Sequence, residues 1–286
     1  MQIIERIEPL RTALEAPRRG GKGIALVPTM GALHEGHLSL IDRAREHAAT
    51  VVMSLFVNPL QFGPNEDFAR YPRDRDGDAR LAEARGVDIV FAPQPFELYP
   101  EGRAITVEPG ALASRWDGVS RPGHFTGVLT VVAKLFNIVQ PDVAVFGQKD
   151  IQQATLIRAM VRDLDFPIRL VVAPTVREKD GVALSSRNAY LREGDRTRAR
   201  VLSRALFAMR DAFDAGERST EVLESLGNSV VAAESTVALE YLAVMDSQTL
   251  EPMPVATAGS IVAIAARVGA TRLIDNVILG APDHSG

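Results

Sequence analysis

The chain of 286 residues contains no cysteine. That excludes a disulfide scaffold, thiolate zinc sites and thiol nucleophiles, and it suits a protein of the reducing cytoplasm. No run of about 18 apolar residues is there to span a bilayer. The opening MQIIERIEPLRTAL has early acidic residues and no apolar core, so it reads as a start without a signal peptide. Neither sign of charge dominates. The 32 Lys and Arg stand against 36 Asp and Glu, a formal net charge of −4. No basic stripe is present to hold a nucleic acid by its phosphates. Three common fingerprints are missing: the GxxxxGK[ST] loop, the GxGxxG turn and the GxSxG nucleophile elbow. Internal repeats are absent too. What is there, 46% hydrophobic and 24% charged residues, is globular composition. Its length allows one large or two modest domains.

Short aliphatic runs alternate with stretches of helical period in the first half. Strands are predicted at residues 23–28, 51–57, 87–91, 143–146 and 168–172. Helices are predicted at 37–48, 75–85, 128–139 and 151–162. Near-continuous aliphatic strands separated by helices predict an α/β fold, a Rossmann-like, doubly wound parallel sheet with its site at the carboxyl ends of the strands. After Pro174 the pattern changes. A helix over 195–213 puts Val201, Leu202, Ala205, Leu206, Met209 and Phe213 on one stripe. Ser219 or Thr220 caps a second helix running towards Ala233, and strands follow at 239–245, 261–268 and 273–279. We therefore expect a larger domain at 1–175 and a smaller C-terminal α+β domain at 176–286. The closing APDHSG reads as a frayed end.

Four segments carry chemistry. The first is PTMGALHEGH at residues 28–37, where the first predicted strand turns into a helix. Gly31 and Gly36 let a ligand approach the backbone, and a helix start offers free N–H groups. His34 and His37, three apart, point the same way in a helical turn. Together these make a phosphate site, although the same turn also reads as two surface histidines beside a helix cap. The second is FGQKD at 146–150, where Lys149 can meet a phosphate and Asp150 can cap the next helix or hold a ribose hydroxyl. A plain strand-to-helix turn is the alternative. The third, LSSRN at 184–188, offers two hydroxyls and a guanidinium to a triphosphate, or else a Ser-rich cap. The charged REKDGV before it reads as a turn that could belong to a mobile lid. The fourth is FVNPLQFG at 56–63, where a polar amide such as Asn58 within an apolar loop can orient a small polar substrate. Asp74, Asp76 and Asp78 read as a capped helix start or as including a magnesium ligand. His47 and His284 carry no role, and His124 stays open.

Taken jointly and in order, these segments resemble the pantoate–β-alanine ligase family over essentially the whole chain. PTMGALHEGHLSLI is similar to the HIGH signature of class I aminoacyl-tRNA synthetase-like nucleotidyltransferases, and ALSSRN to a shortened KMSKS motif. SLFVNPLQFGPNEDFARYPR, RPGHFTGV and VFGQKDIQQ are further blocks of the family. Leu184 stands where many relatives carry Met, a change between apolar side chains of similar volume. The resemblance implies an ATP-dependent ligase that joins pantoate to β-alanine through a pantoyl adenylate, in coenzyme A biosynthesis. It implies ATP with Mg2+, a cytoplasmic homodimer, and a smaller domain acting as a lid. It makes Pro28, Thr29, Met30, Gly31, Ala32, Leu33, His34, Glu35, Gly36 and His37 the lining of the ATP site, with His37 as proton donor. Gly147, Gln148, Lys149 and Asp150 would hold the adenosine and phosphates. Val176 would meet the adenine end, and Leu184, Ser185, Ser186 and Arg187 would close over the phosphates. Gln61 and Gln153 would orient pantoate, with Gln61 also near β-alanine, and Asp78 would be the magnesium-side acid. Catalysis would rest on His34, His37, Lys149, Ser185, Ser186 and Arg187. Two other readings compete: a nucleotidyltransferase acting on a phosphorylated acceptor, and a non-catalytic nucleotide-binding module. A tRNA synthetase is disfavoured by the acidic balance and the missing anticodon-binding region.

Overall fold

The computed structural model describes residues 1–64 and 66–281. His284 and most of the expected frayed end lie outside the described residues. In chain order the elements are β1 (Gln2–Ile4), α1 (Ile7–Arg19), β2 (Ile24–Thr29), α2 (Glu35–Arg45), β3 (Thr50–Leu55), α3 (Arg75–Ala84) and β4 (Ile89–Phe91). The short α4 (Pro95–Leu98) and α5 (Asp117–Ser120) precede α6 (His124–Val139), β5 (Val143–Gly147), α7 (Ile151–Asp163) and β6 (Arg169–Ala173). Then come α8 (Glu193–Asp214), α9 (Thr220–Ala232), β7 (Val237–Met245), β8 (Ile261–Val268) and β9 (Thr271–Ile278). Two compact units result. One is Met1–Gly147 with Leu156–Ala173, the other Gln148–Thr155 with Pro174–Gly286.

In the first unit six parallel strands form one sheet in the order β1-β4-β3-β2-β5-β6. Alternation along each strand feeds two cores. Ile24, Leu26, Val52, Ile89, Phe91, Ala144 and Phe146 pack with Leu10 and Leu14 of α1 and with α6. Ala25, Val27, Val51, Met53, Val90, Val143 and Val145 pack with Leu38, Leu40, Ile41 and Ala44 of α2. Strands buried on both faces must be aliphatic throughout, which is why they are readable in sequence. Each such Val, Leu or Ile contributes about 1.5–3 kcal/mol on burial. The strand order reverses between β2 and β5. Their carboxyl ends, Thr29 and Gly147, therefore flank the switch point where ligands of doubly wound sheets bind.

The second unit holds the antiparallel sheet β7-β8-β9. Leu202, Leu206, Met209 and Phe213 of α8 and Leu223 and Val231 of α9 pack onto Val244, Val262, Ile264 and Val277. The stripe predicted for residues 195–213 is thus a core stripe. Ser219 is the N-cap of α9, its hydroxyl accepting the Val222 N–H at 3.4 Å. The parallel sheet and the smaller α+β part expected from sequence are both present. β1 and α1 were not foreseen. β1 has only three residues, two of them exposed. α1 does have helical spacing, with Leu10 and Leu14 buried on one face, but its N-cap Arg6 makes no side-chain capping bond and it carries Pro17 in its last turn.

Candidate active site

The turn after β2 is built by an acid from α3. The Thr29 hydroxyl donates to the Ser54 carbonyl at 2.7 Å and accepts the Gly31 N–H at 3.3 Å. Asp78, 5% exposed, accepts the N–H of Ala32 at 2.9 Å and of Leu33 at 2.7 Å. Gly31 takes φ +86°, and a Cβ there would lie 2.7 Å from Asp78 Oδ2, so the position admits only glycine. Burial raises the Asp78 pKa, and the two amides oppose that rise. His34 is then the N-cap of α2, with extended backbone and no side-chain capping bond. The His34 and His37 rings stack with centroids 4.1 Å apart at 34°. Two imidazoles and a helix N-terminus thus present N–H donors at the carboxyl end of β2, where an anion is stabilised.

Beyond β3, Asn58 is 1% exposed and uses all four of its hydrogen-bonding positions. Its Nδ2 donates to Gln61 Oε1 and to the Gly127 carbonyl, both at 3.0 Å. Its Oδ1 accepts from the Leu60 N–H at 3.2 Å and the Tyr99 hydroxyl at 2.8 Å. Gln61 in turn donates through Nε2 to Met30 Sδ at 2.9 Å, joining the two motifs. The Gln61 carbonyl lies 2.8 Å from His124 Nδ1, and the Arg121 guanidinium lies 2.9 Å from His124 Nε2. A carbonyl only accepts and a guanidinium only donates, so His124 is the neutral tautomer with its proton on Nδ1. Burial, helped by Arg121, pushes its pKa down to about 4. Arg121 closes the cluster on Glu66 with two contacts of 2.7 Å. Burial pushes the Glu66 carboxyl upward, but the guanidinium outweighs it and holds the pKa below the ordinary value.

The second unit holds the other motifs. Gln148–Asp150 is a 3-10 turn opening α7, with Lys149 Nζ 3.8 Å from Asp150 Oδ1. REKDGV is a tight hairpin, as its composition suggested. Arg177 bridges Ala183, the Glu178 N–H donates to the Val182 carbonyl at 2.9 Å, and the Leu184 N–H donates to the Val176 carbonyl at 3.0 Å. Arg196 of α8 grips this hairpin, meeting Glu178 at 2.7 Å and Asp180 at 2.9 Å. The guanidinium holds both carboxyls below their usual range against a smaller effect of burial. Asn188 donates to Glu178 Oε1 and to the Ala183 carbonyl, and Ser185 caps the following 3-10 turn by accepting the Arg187 N–H. Ser185, Ser186 and Arg187 therefore sit on a braced loop.

The structure brings Met30, His34, His37 and Gln61 together in the first unit, and Val176 and Leu184–Arg187 in the second. Three expectations change. Asn58 has no donor or acceptor left for a substrate and instead aims Gln61. Glu35 is exposed and pairs with Arg85 at 2.7 Å, so its carboxylate does not line a phosphate site. Asp78 has each carboxylate oxygen committed to a backbone N–H. Among the described residues no three His, Cys, Asp or Glu gather as a metal cage. The donor set does not fit a resident Mg2+, and Asp78 is a brace for the histidine turn. Of the aspartates in that run, Asp74 is the helix cap, accepting the Gly77 N–H at 2.9 Å. Sequence reasoning missed Arg121, Arg177, Arg196, Asp275 and Asn276. Of these, RPGHFTGV contained Arg121 and the charged turn before LSSRN contained Arg177, without a role for either.

Comparison with known proteins covers nearly the whole chain. A family model described as Pantoate-beta-alanine ligase matches residues 2–278. A pantothenate synthetase of Moorella thermoacetica is 52% identical over 283 residues, covering 99% of this chain and all of that protein. The crystal structure of pantothenate synthetase from Thermus thermophilus matches with a TM-score of 0.93 at 48% identity, covering 97% of this chain and 99% of that one. The pantoate-beta-alanine ligase of Francisella tularensis, complexed with beta-gamma ATP and beta-alanine, matches with a TM-score of 0.81 at 33% identity over 99% of both chains. With its signature turns built as described and its relatives matched from end to end, this chain belongs to the pantoate–β-alanine ligase family.

Proposed function

We propose that this chain condenses pantoate with β-alanine, consuming ATP and releasing pantothenate, AMP and pyrophosphate. The observation that carries the proposal is the His34–His37 stack at the start of α2, held by Asp78 and joined through Met30 to a Gln61 whose orientation is fixed. A carboxylate is a poor acylating group, so it must first be activated. A pantoate carboxylate oxygen attacks the α-phosphorus of ATP, and the bond from that phosphorus to the pyrophosphate oxygen breaks. The β-alanine nitrogen, as the free amine, then attacks the acyl carbon of the pantoyl adenylate; AMP leaves with the bonding electron pair and the nitrogen gives up one proton to solvent. No protein nucleophile is needed, which agrees with a chain that has no cysteine.

The residues supply position and charge. Gln61 and Gln153 orient pantoate. His34, His37, Lys149 and Arg187 receive the negative charge that grows on the phosphate oxygens, with His37 giving the departing pyrophosphate its proton. Ser185 and Ser186 bond the phosphates. Gly147, Gln148, Asp150 and Val176 serve the nucleoside end. Mg2+ enters as part of the MgATP substrate, borne by phosphate oxygens and water. A homodimer, a cytoplasmic location and a lid role for the second unit rest on the family resemblance alone.

The test is omission. With pantoate, β-alanine and MgATP supplied, AMP release should need pantoate, and amide product should need β-alanine as well. AMP release without pantoate, or a stable nucleotide conjugate in place of an amide, would overturn the proposal.

A further inference from the structure

We infer that Asn276 is a positioning residue for adenylate formation: it fixes the backbone turn carrying Lys149, while its neighbour Asp275 fixes the hairpin leading to Ser185–Arg187. The inference rests on the reading that Lys149 meets the ATP phosphates.

Asn276 lies on β9 and is 1% exposed. Its Nδ2 donates to the carbonyls of Gln148 and Lys149, both at 2.9 Å, and its Oδ1 accepts from Gln148 Nε2 at 3.2 Å. Three hydrogen bonds from one side chain thus end on a single three-residue turn, 127 and 128 positions earlier in the chain. Two successive carbonyls and one amide N–H converging on a single side chain require two donors and an acceptor together, which is an amide and neither a Lys nor an Arg. A buried polar group in a strand is costly unless it is paired, and an apolar side chain would serve packing alone as well.

Asp275 does the equivalent for the hairpin. It is 3% exposed and takes Arg177 in a two-pronged contact of 2.6 and 2.9 Å. The same guanidinium donates to the carbonyls of Gly181 at 3.1 Å and Asn276 at 3.3 Å, and lies 4.9 Å from the centre of the Phe207 ring. Adjacent residues of β9 therefore anchor the GQKD turn and the hairpin that runs into LSSRN. Lysine ends a flexible four-carbon stem, so its reach is set by where its backbone is held. A displacement of about 1 Å at such a group can cost on the order of 10²-fold in rate.

The test is a double-mutant cycle read by pyrophosphate release, with the unfolding midpoint of each variant recorded. Asn276→Ala and Asn276→Ser are made in the wild-type chain and in Lys149→Ala. Asn276→Ala should lower kcat about tenfold or more with pantoate KM within about twofold. Asn276→Ser, which keeps one donor and also covers failure of the alanine variant to fold, should fall between. In Lys149→Ala neither change should lower the residual rate by more than about twofold, because the group being positioned is gone. A loss that multiplies with that of Lys149→Ala, or an unchanged kcat in the single variants, overturns the inference and leaves the role of Lys149 standing. A wild-type rate in Lys149→Ala overturns both.

Discussion

A donor aimed at developing phosphate charge in a water-poor site is worth about 2.7–4 kcal/mol of barrier, or 10²–10³ in rate. His37→Ala and Lys149→Ala should each slow pyrophosphate release by about 10² or more. Retention of the wild-type rate by both would remove these residues from the reaction. Gln61→Ala acts on binding, so pantoate KM should rise at least about tenfold with kcat less affected; an unchanged KM speaks against its role. At this scale the sequence shows residue types well and residue partners poorly. His34 and His37 stand out because they lie three apart in one motif. Asn58 also stands out, but four saturated hydrogen bonds show that it acts through Gln61. Asn276 is hidden in RLIDNV, which reads as an ordinary strand, and its partners lie more than a hundred residues away.

The elements turn these residues into a site. β2 and α2 were legible because an aliphatic run and a glycine-bearing turn occur side by side. The brace beneath the turn was not, since Asp78 joins α3 to Ala32 and Leu33 across 46 and 45 residues, a pairing set by sheet order. Asp78→Asn should keep one acceptor and set a donor against the other N–H, loosening the histidine turn. We expect kcat to drop about tenfold or more while the Mg2+ concentration for half-maximal rate stays within about twofold. A several-fold rise in that concentration would return Asp78 to the metal. Gly31→Ala should combine strain at a φ of +86° with the clash on Asp78, costing about 1–3 kcal/mol in stability, as read by denaturant unfolding.

At the scale of the whole molecule, stability should respond to the buried His124. Its folded pKa of about 4 lies below the ordinary histidine value of 6.5, so folding favours the neutral ring. That contribution is complete above about pH 6.5 and is lost as pH falls towards 4, an effect of about 3 kcal/mol. The unfolding midpoint should therefore drop over that window, and His124→Asn should flatten the drop, leaving a remainder from carboxylates such as Glu66. An equal slope in the variant would show that His124 is not the titrating group. Fold class was the most legible property here, because burial of strands on both faces writes itself into composition. The division of the chain was less so. A single boundary near residue 175 is what the change of pattern suggests, yet Gln148–Thr155 groups with Pro174–Gly286.

That grouping has a consequence for the gene. The polypeptide passes between its two compact units three times, after Gly147, Thr155 and Ala173. No single break in the coding sequence can yield two complete halves. A fragment beginning at residue 174 would carry Asn276 with a buried amide and nothing to bond, while the turn it was shaped for stayed with the other piece. Neither unit can therefore be excised from the chain as one uninterrupted segment.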